Sequence, residues 1–325
     1  MNNKIPIVSV ICTTFNHESY IRQALDGFVM QQCTFPVEVI VHDDASTDKT
    51  GEIIKEYVKK YPELIKPILQ TENQYSKGFN VWADLFTKEA KGKYIALCEG
   101  DDYWTDSNKL QKQVDFLEAN PEFSLCCHRY KTYDEESKKW NNDYCNHLFK
   151  ENMDGLEYDC EFHFSKCWIT KTMTVIFRRE ALNLSSWLKY KDTRDVQLFY
   201  FLLKIGKGYC MNYDAAVYRI HSGGIHSKIS DIKKAMLGYN IYTELYYNNR
   251  EDAFLKQKAM KGRNVLYNDI IQRIMKNQFS TILFVSILGF LNNEYRLEGY
   301  KECLIYLLRF VKIIIKGMFR TVYIL

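Results

Sequence analysis

The sequence predicts an α/β fold, a mostly parallel sheet with flanking helices and a helical C-terminal extension. Three observations carry this. Strand and helix signals alternate through the first hundred residues, one strand runs straight into three carboxylates, and beyond Ser230 only helical patterns remain. Alternation of this kind means a parallel sheet with crossover helices.

In order, Ile7 to Cys12 is β-branched and reads as a strand. Glu18 to Gln31 is a helix, because Ile21, Leu25, Phe28 and Val29 recur at helical spacing. Val37 to Val41 is the second strand. Thr47 to Tyr61 is a helix opened by Ser46 or Thr47 and closed before Pro62. Ile65 to Leu69, Phe79 to Glu89 and Tyr94 to Cys98 repeat strand, helix, strand, and Lys109 to Ala119 is helical. Between Tyr130 and Lys171 periodicity dissolves into a loop-rich stretch, and a loop this long in a compact domain is functional or disordered. Its aromatics Trp140, Tyr144, Phe149, Phe162, Phe164 and Trp168 favour a folded lid or pocket wall. Met173 to Phe177 is a strand, Asp195 to Ile205 a helix, and Tyr209 to Tyr213 and Ala216 to Ile220 two short strands.

Residues 1–229 are expected to form the main domain and 230–325 a helical region. The chain has 325 residues, 46% of them hydrophobic, enough for a full core, and its net charge of +4 implies no nucleic-acid partner. Ten cysteines occur with no signal-peptide pattern, since the apolar run Ile7 to Cys12 is too short for one. A reduced, cytoplasmic setting with scattered buried thiols is therefore expected, rather than a disulfide framework. Cys126, Cys127, His128, Cys145, His147, Cys160 and His163 raise a zinc question, but their spacings fit no standard finger. Ser280 to Leu291 is apolar but about half the length a bilayer span needs. Cys303 to Leu325 carries Arg309, Lys312, Lys316 and Arg320 along one helical face against a wide apolar face. That suits a helix lying on the inner, anionic face of the cell membrane, or one packed on the domain or a second subunit.

The chemistry gathers at strand ends. Glu99, Asp101 and Asp102 follow the strand Tyr94 to Cys98, in the crevice where open α/β sheets bind ligands. Three anions there call for a cation, and hard oxygen ligands favour Mg²⁺ or Mn²⁺ shared with substrate phosphates. Thr13, Thr14 and Asn16 follow the first strand with hydroxyls and backbone donors suited to a base or ribose. Asp43 and Asp44 follow the second, where a carboxylate can accept from a uracil ring N–H, while Ser46 to Asp48 cap the next helix. Arg194 and Asp195 open a helix. Asp195 is either a charge matched to the helix dipole or a general base. Arg219 and His221 end the last strand and could face a pyrophosphate as donor and metal ligand, with His226 and Ser227 just beyond.

These blocks resemble the family 2 glycosyltransferases, inverting enzymes of the GT-A fold that use nucleotide-activated sugars. The resemblance covers roughly Pro6 to Ser227. It rests on Val8 to Asn16, Val41 to Asp48, Gly92 to Ala96 leading to Glu99-Gly100-Asp101-Asp102, Thr193-Arg194-Asp195, and Tyr218-Arg219-Ile220-His221. It implies a GT-A type, Rossmann-like catalytic domain in which Asp44, with Asp43 beside it, binds the nucleobase. Asp101 would coordinate the divalent metal bridging the diphosphate, Asp195 would deprotonate the acceptor hydroxyl, and His221 would be a late metal or phosphate contact. Glu99 stands where the family has Asp, and Ala45 where Gly is common.

The implied function is transfer from a nucleotide-diphosphate donor such as a UDP-sugar to a glycan or lipid-linked acceptor, in surface polysaccharide synthesis. Direct displacement needs a carboxylate base and a stabilised leaving group, and the sequence supplies both. A dehydrogenase is excluded, because Cys12 to Asn16 contains no glycine. A sugar nucleotidyltransferase and a non-catalytic carbohydrate-binding protein of the same fold remain as alternatives.

Overall fold

The computed structural model describes residues 5–182, 190, 193–224, 229–276, 278 and 280–322, with the side chains of 281, 295, 300 and 315–322 outside that description. His226 and Ser227, and the side chains of Lys316 and Arg320, therefore lie outside it. The chain divides into two compact units, Met1–His221 and Ser222–Leu325.

The first unit begins as expected: β1 (Val8–Thr14), α1 (Ile21–Val29), β2 (Val37–Asp43), α2 (Thr50–Lys60), β3 (Ile65–Leu69), α3 (Val81–Asp84, continued by a π-helical turn Leu85–Glu89) and β4 (Tyr94–Leu97). These four strands are parallel, in the order β3-β2-β1-β4. Parallel strands are covered on both faces, so they read as continuous apolar runs. Val8, Val10, Val39, Val41, Tyr94 and Ala96 are all buried, beneath Ile21, Leu25 and Phe28 of α1.

The other half of the sheet differs from expectation. After β5 (Tyr103–Trp104) and α4 (Lys109–Ala119) comes β6 (Phe123–Asp134), the second-longest strand described, which runs on into the supposed loop region from Tyr130. It continues with β7 (Lys139–Asn142), β8 (Gly155–Tyr158) and the short helix α5 (Cys160–Ser165). β6 hides from periodicity because Ser124, Cys127 and His128 lie buried beside its apolar residues, so neither face reads as polar. The expected strand Met173 to Phe177 is a 3₁₀ turn at Thr172–Thr174 followed by β9 (Ile176–Arg178). After α6 (Asp195–Ile205), the two predicted short strands are one, β10 (Lys207–Ile220), whose pairing with β6 slips near Met211 to Val217. The sheet order continues β4-β9-β6-β10-β5, with β9 antiparallel to both neighbours and β6 parallel to β10.

The thiol expectation needs one correction: Cys145 and Cys167 form a disulfide 22 positions apart, pinning the segment that carries β8 and α5. Closing such a loop restricts the unfolded chain. Among the described residues no group of three or more His, Cys, Asp or Glu is arranged to hold a metal, which includes the zinc candidates.

The second unit holds α7 (Asp231–Asn248), α8 (Ala253–Met275), α9 (Thr281–Glu298) and α10 (Tyr300–Val322). Tyr239, Tyr267, Phe290, Tyr306 and Phe310 pack ring against ring in its core. Phe284, Val285 and Leu288 of α9 and Leu304, Leu307, Leu308 and Val311 of α10 instead face water. Among the described residues no helix is long and apolar enough to cross a membrane.

Candidate active site

β1 lies between β2 and β4, and the loops leaving these three strands are stitched together by backbone bonds. Asp44 N–H donates to Thr14 O (3.0 Å) and Gly100 N–H to Thr13 O (3.0 Å). Asn16, in the left-handed region at φ 55°, accepts from Thr47 N–H at 2.8 Å, and its own N–H donates to Ser46 Oγ. A Cβ on Gly100 would lie 2.6 Å from Thr14 Oγ1, so glycine is required for these loops to close. Ala45 also sits in the left-handed region, at φ 63°. That is why glycine is common there, and Ala holds the same turn with some strain.

Asp43 and Asp44 are both buried. Asp43 accepts from the Ser46 hydroxyl and amide. Asp44 accepts from the backbone N–H groups of Gln74 (2.6 Å) and Tyr75 (3.0 Å), tying β2 to the turn before α3. Arg194 reaches the same turn, its Nη2 donating to Tyr75 Oη at 3.0 Å.

The acidic loop resolves its own repulsion by holding its three carboxyls differently. Burial, reinforced by the charges of Asp101 and Asp195, pushes Glu99 up to about 7, although Thr172 Oγ1 donates to it at 2.7 Å. Burial and the neighbouring Asp101 and Glu99 raise Asp102 well above the carboxylate range, and its Oδ1 accepts from Arg219 N–H at 2.8 Å. Burial opposes ionisation of Asp101 too, but the His221 hydrogen bond and the fields of His17 and His221 prevail and lower it. Asp101 is therefore the most readily ionised of the three. Its Oδ2 lies 3.1 Å from His221 Nε2 and 3.7 Å from His17 Nε2.

Arg219 differs from the expected pyrophosphate contact. Its guanidinium is buried and spent on protein: Nε on Asp101 O at 2.8 Å, Nη1 on Glu135 and Nη2 on Gln23, between the rings of Tyr20 and Tyr103. It shapes the acidic loop instead of facing a ligand. Asp195 is the first residue of α6, where its Oδ1 accepts from Val196 N–H at 2.9 Å, and its charge is felt at Glu99 and Tyr218. Trp168 stands apart from these groups, packed on His163 (4.6 Å), Phe164 and Phe199 of α6. His17, Gln23, Glu135 and Thr172 were not legible as site residues. His17 directly follows the Thr13 to Asn16 block, a usable signal, whereas Thr172 meets Glu99 from 73 positions away.

Asp101 and His221 present one carboxylate and one imidazole on a single spot, a donor pair that fits a divalent ion completed by phosphate oxygens and water.

The acidic loop and the histidine that follows β10 thus meet at one end of the mostly parallel sheet. The family model for glycosyl transferase family 2 matches residues 9–177, and the chain belongs to that family. An uncharacterised protein of Mycobacterium tuberculosis is 48% identical over 134 residues, 41% of this chain and only 37% of that protein, so this chain matches little more than a third of that relative's length. TuaG of Bacillus subtilis, provisionally described as a teichuronic acid biosynthesis glycosyltransferase, is 29% identical over 81% of this chain and its own whole length. WfaP of Escherichia coli, a UDP-Glc:α-D-GlcNAc-diphosphoundecaprenol β-1,3-glucosyltransferase, is 27% identical over 67% of this chain and 79% of its own. The same fold occurs in Staphylococcus aureus TarS 1–349 bound to UDP-GlcNAc (TM-score 0.61, 19% identity, 91% of this chain and 82% of that one). It occurs also in the Pyrobaculum calidifontis mannosyltransferase PcManGT bound to GDP-Man and Mn²⁺ (TM-score 0.53, 18% identity, 98% and 83%).

Proposed function

We propose that residues 1–229 form the catalytic domain of an inverting transferase. It moves a sugar from a nucleotide-diphosphate donor, a UDP-sugar, to a hydroxyl of a glycan or lipid-linked acceptor during surface polysaccharide synthesis. The observation that carries this is the pairing of Asp101 with His221 at the end of β4, with the Asp195 charge felt at the neighbouring Glu99. The acceptor chemistry named for WfaP and the pathway named for TuaG support it.

In this reading Asp44 and Asp43 fix the loop that receives the base, one Asp44 oxygen lone pair accepting from the ring N–H. Thr13, Thr14 and Asn16 line the ribose side with Glu99, and Arg194 closes the far wall. Asp101 and His221 would hold Mn²⁺ or Mg²⁺. When bound, such an ion stabilises the negative charge of the departing diphosphate. Asp195 takes the acceptor proton, so the hydroxyl attacks the anomeric carbon in one displacement and the centre inverts. Burial raises both Glu99 and Asp102, which lessens the repulsion the loop presents to the diphosphate.

The exposed apolar faces of α9 and α10, with exposed Arg309 and Lys312 beside the latter, support peripheral contact of residues 230–325 with the inner face of the cell membrane. Two experiments test the reading. Incubation with a panel of nucleotide sugars, with and without Mn²⁺, should release nucleoside diphosphate only with metal and for a uridine donor. Flotation with anionic vesicles at low and high salt should show binding that salt weakens.

A further inference from the structure

Beyond the donor site, the hairpin β6–β7 carries an aromatic surface that neither the fold nor the acidic loop requires. Trp140 is 56% exposed, and its ring lies 4.7 Å from that of Tyr133. Trp140, Lys131, Asn141 and Asn142 line an open pocket of about 520 Å³. Lys131 Nζ donates to Asn142 Oδ1 at 2.6 Å and pairs with Asp214 at 3.3 Å, which fixes the polar rim. A pyranose has an apolar face of C–H groups and a rim of hydroxyls. A flat exposed ring beside amide and ammonium groups complements both.

Strand register places this surface relative to the acidic loop. Tyr133 pairs with Trp140 and Lys131 with Asn142 across the antiparallel hairpin, so these four side chains share one face. On the other side Tyr133 aligns with Arg219 of the parallel strand β10, putting Arg219 on that face, and His221 follows two residues later. Trp140 is thus two strand spacings, roughly 10 Å, across the sheet from β10, the strand that leads into His221. The Arg219–Glu135 ion pair and the Glu135 N–H bond to Ile220 O (2.9 Å) lock the hairpin to the same loop that holds Asp101.

We infer that Trp140 and Tyr133, with Lys131 and Asn142 as rim, form a saccharide subsite that grips the acceptor glycan beside the transfer site. This rests on the glycosyltransferase reading above. The test uses the full chain with UDP and Mn²⁺, titrated with linear oligosaccharides of glucose, of N-acetylglucosamine and of glucuronate-containing repeats. Indole emission and calorimetry provide the readouts.

At least one oligosaccharide should bind saturably. Trp140→Ala should weaken it at least about tenfold, the scale of losing an aromatic anchor, and Trp140→Phe should keep most of the affinity. UDP affinity should stay within about twofold in both variants, which also reports that they fold. Intact UDP binding with no oligosaccharide bound, or with Trp140→Ala binding as well as the unmodified protein, overturns the subsite alone. Failure of the unmodified protein to bind UDP overturns the donor reading and the subsite with it. Retention of a peptide or lipid ligand by Trp140, with no saccharide bound, also overturns it.

Discussion

The two halves of the sheet are built by different rules. The half β3-β2-β1-β4 is wound in chain order by parallel crossovers, β2 beside β1 and β3 beside β2, with β4 returning to the other side of β1. The half β9-β6-β10-β5 is assembled from distant segments, with β6 against β10 and Tyr103 of β5 opposite Val217. The first half carries the loops assigned to the donor. The second brings His221, Arg219 and the Trp140 hairpin, and the helix opened by Asp195 packs against it. Parallel winding, with β4 returning beside β1, creates the crevice, and the mixed half fits it out.

Substitutions can break that division. The largest effect is expected from Asp101→Asn, which should abolish metal-dependent transfer while the melting temperature holds, since Asn still accepts from His221. Full activity with unchanged Mn²⁺ dependence would sink the assignment. Asp195→Asn, on the distant-pairing side, should lower turnover by at least about 100-fold with UDP affinity unchanged, as expected for a lost general base. A fall in UDP affinity without loss of turnover would move Asp195 to the donor half.

A smaller effect separates the halves by stability. Lys109 is fully buried, its Nζ 2.8 Å from Gln113 Oε1 and 4.1 Å from the Trp104 ring centre, and burial pushes it down from 10.5 to about 7. Between those values the unfolded chain binds the extra proton, so stability should rise with pH from about 7 to about 10.5. Lys109→Met should flatten that rise in chemical denaturation at pH 7 and pH 9. A slope that survives the substitution would place its origin elsewhere.

Smallest is Ala45→Gly in the parallel half. Relief of the left-handed strain at φ 63°, partly offset by chain entropy, should raise stability by up to about 1 kcal/mol. A thermal shift downward would show that the turn carries no strain.

The same contrast explains what could be read from sequence. Ile21, Leu25 and Phe28 announce α1 because a helix between two parallel strands has one apolar face and local partners. β6 announces nothing, because Cys127 and His128 are buried by strands and helices that arrive much later in the chain. Asp101 and His221 were legible as chemistry, each at the end of an apolar run. That Arg219 turns inward was not, since its partners Gln23 and Glu135 lie 196 and 84 positions away. The Cys145–Cys167 bridge was missed for a similar reason: spacing alone does not say which thiols meet.

Arg219 also bears on how such an enzyme could change its clientele. The inner strand of the hairpin, β6, is laddered into the sheet against β10 and tied to it again by the Glu135–Arg219 and Lys131–Asp214 ion pairs, while the outer strand Lys139–Asn142 pairs with β6 and is exposed along its length. A different outer strand and turn could be carried on the same β6 without disturbing the acidic loop, making acceptor choice a detachable part of the machine.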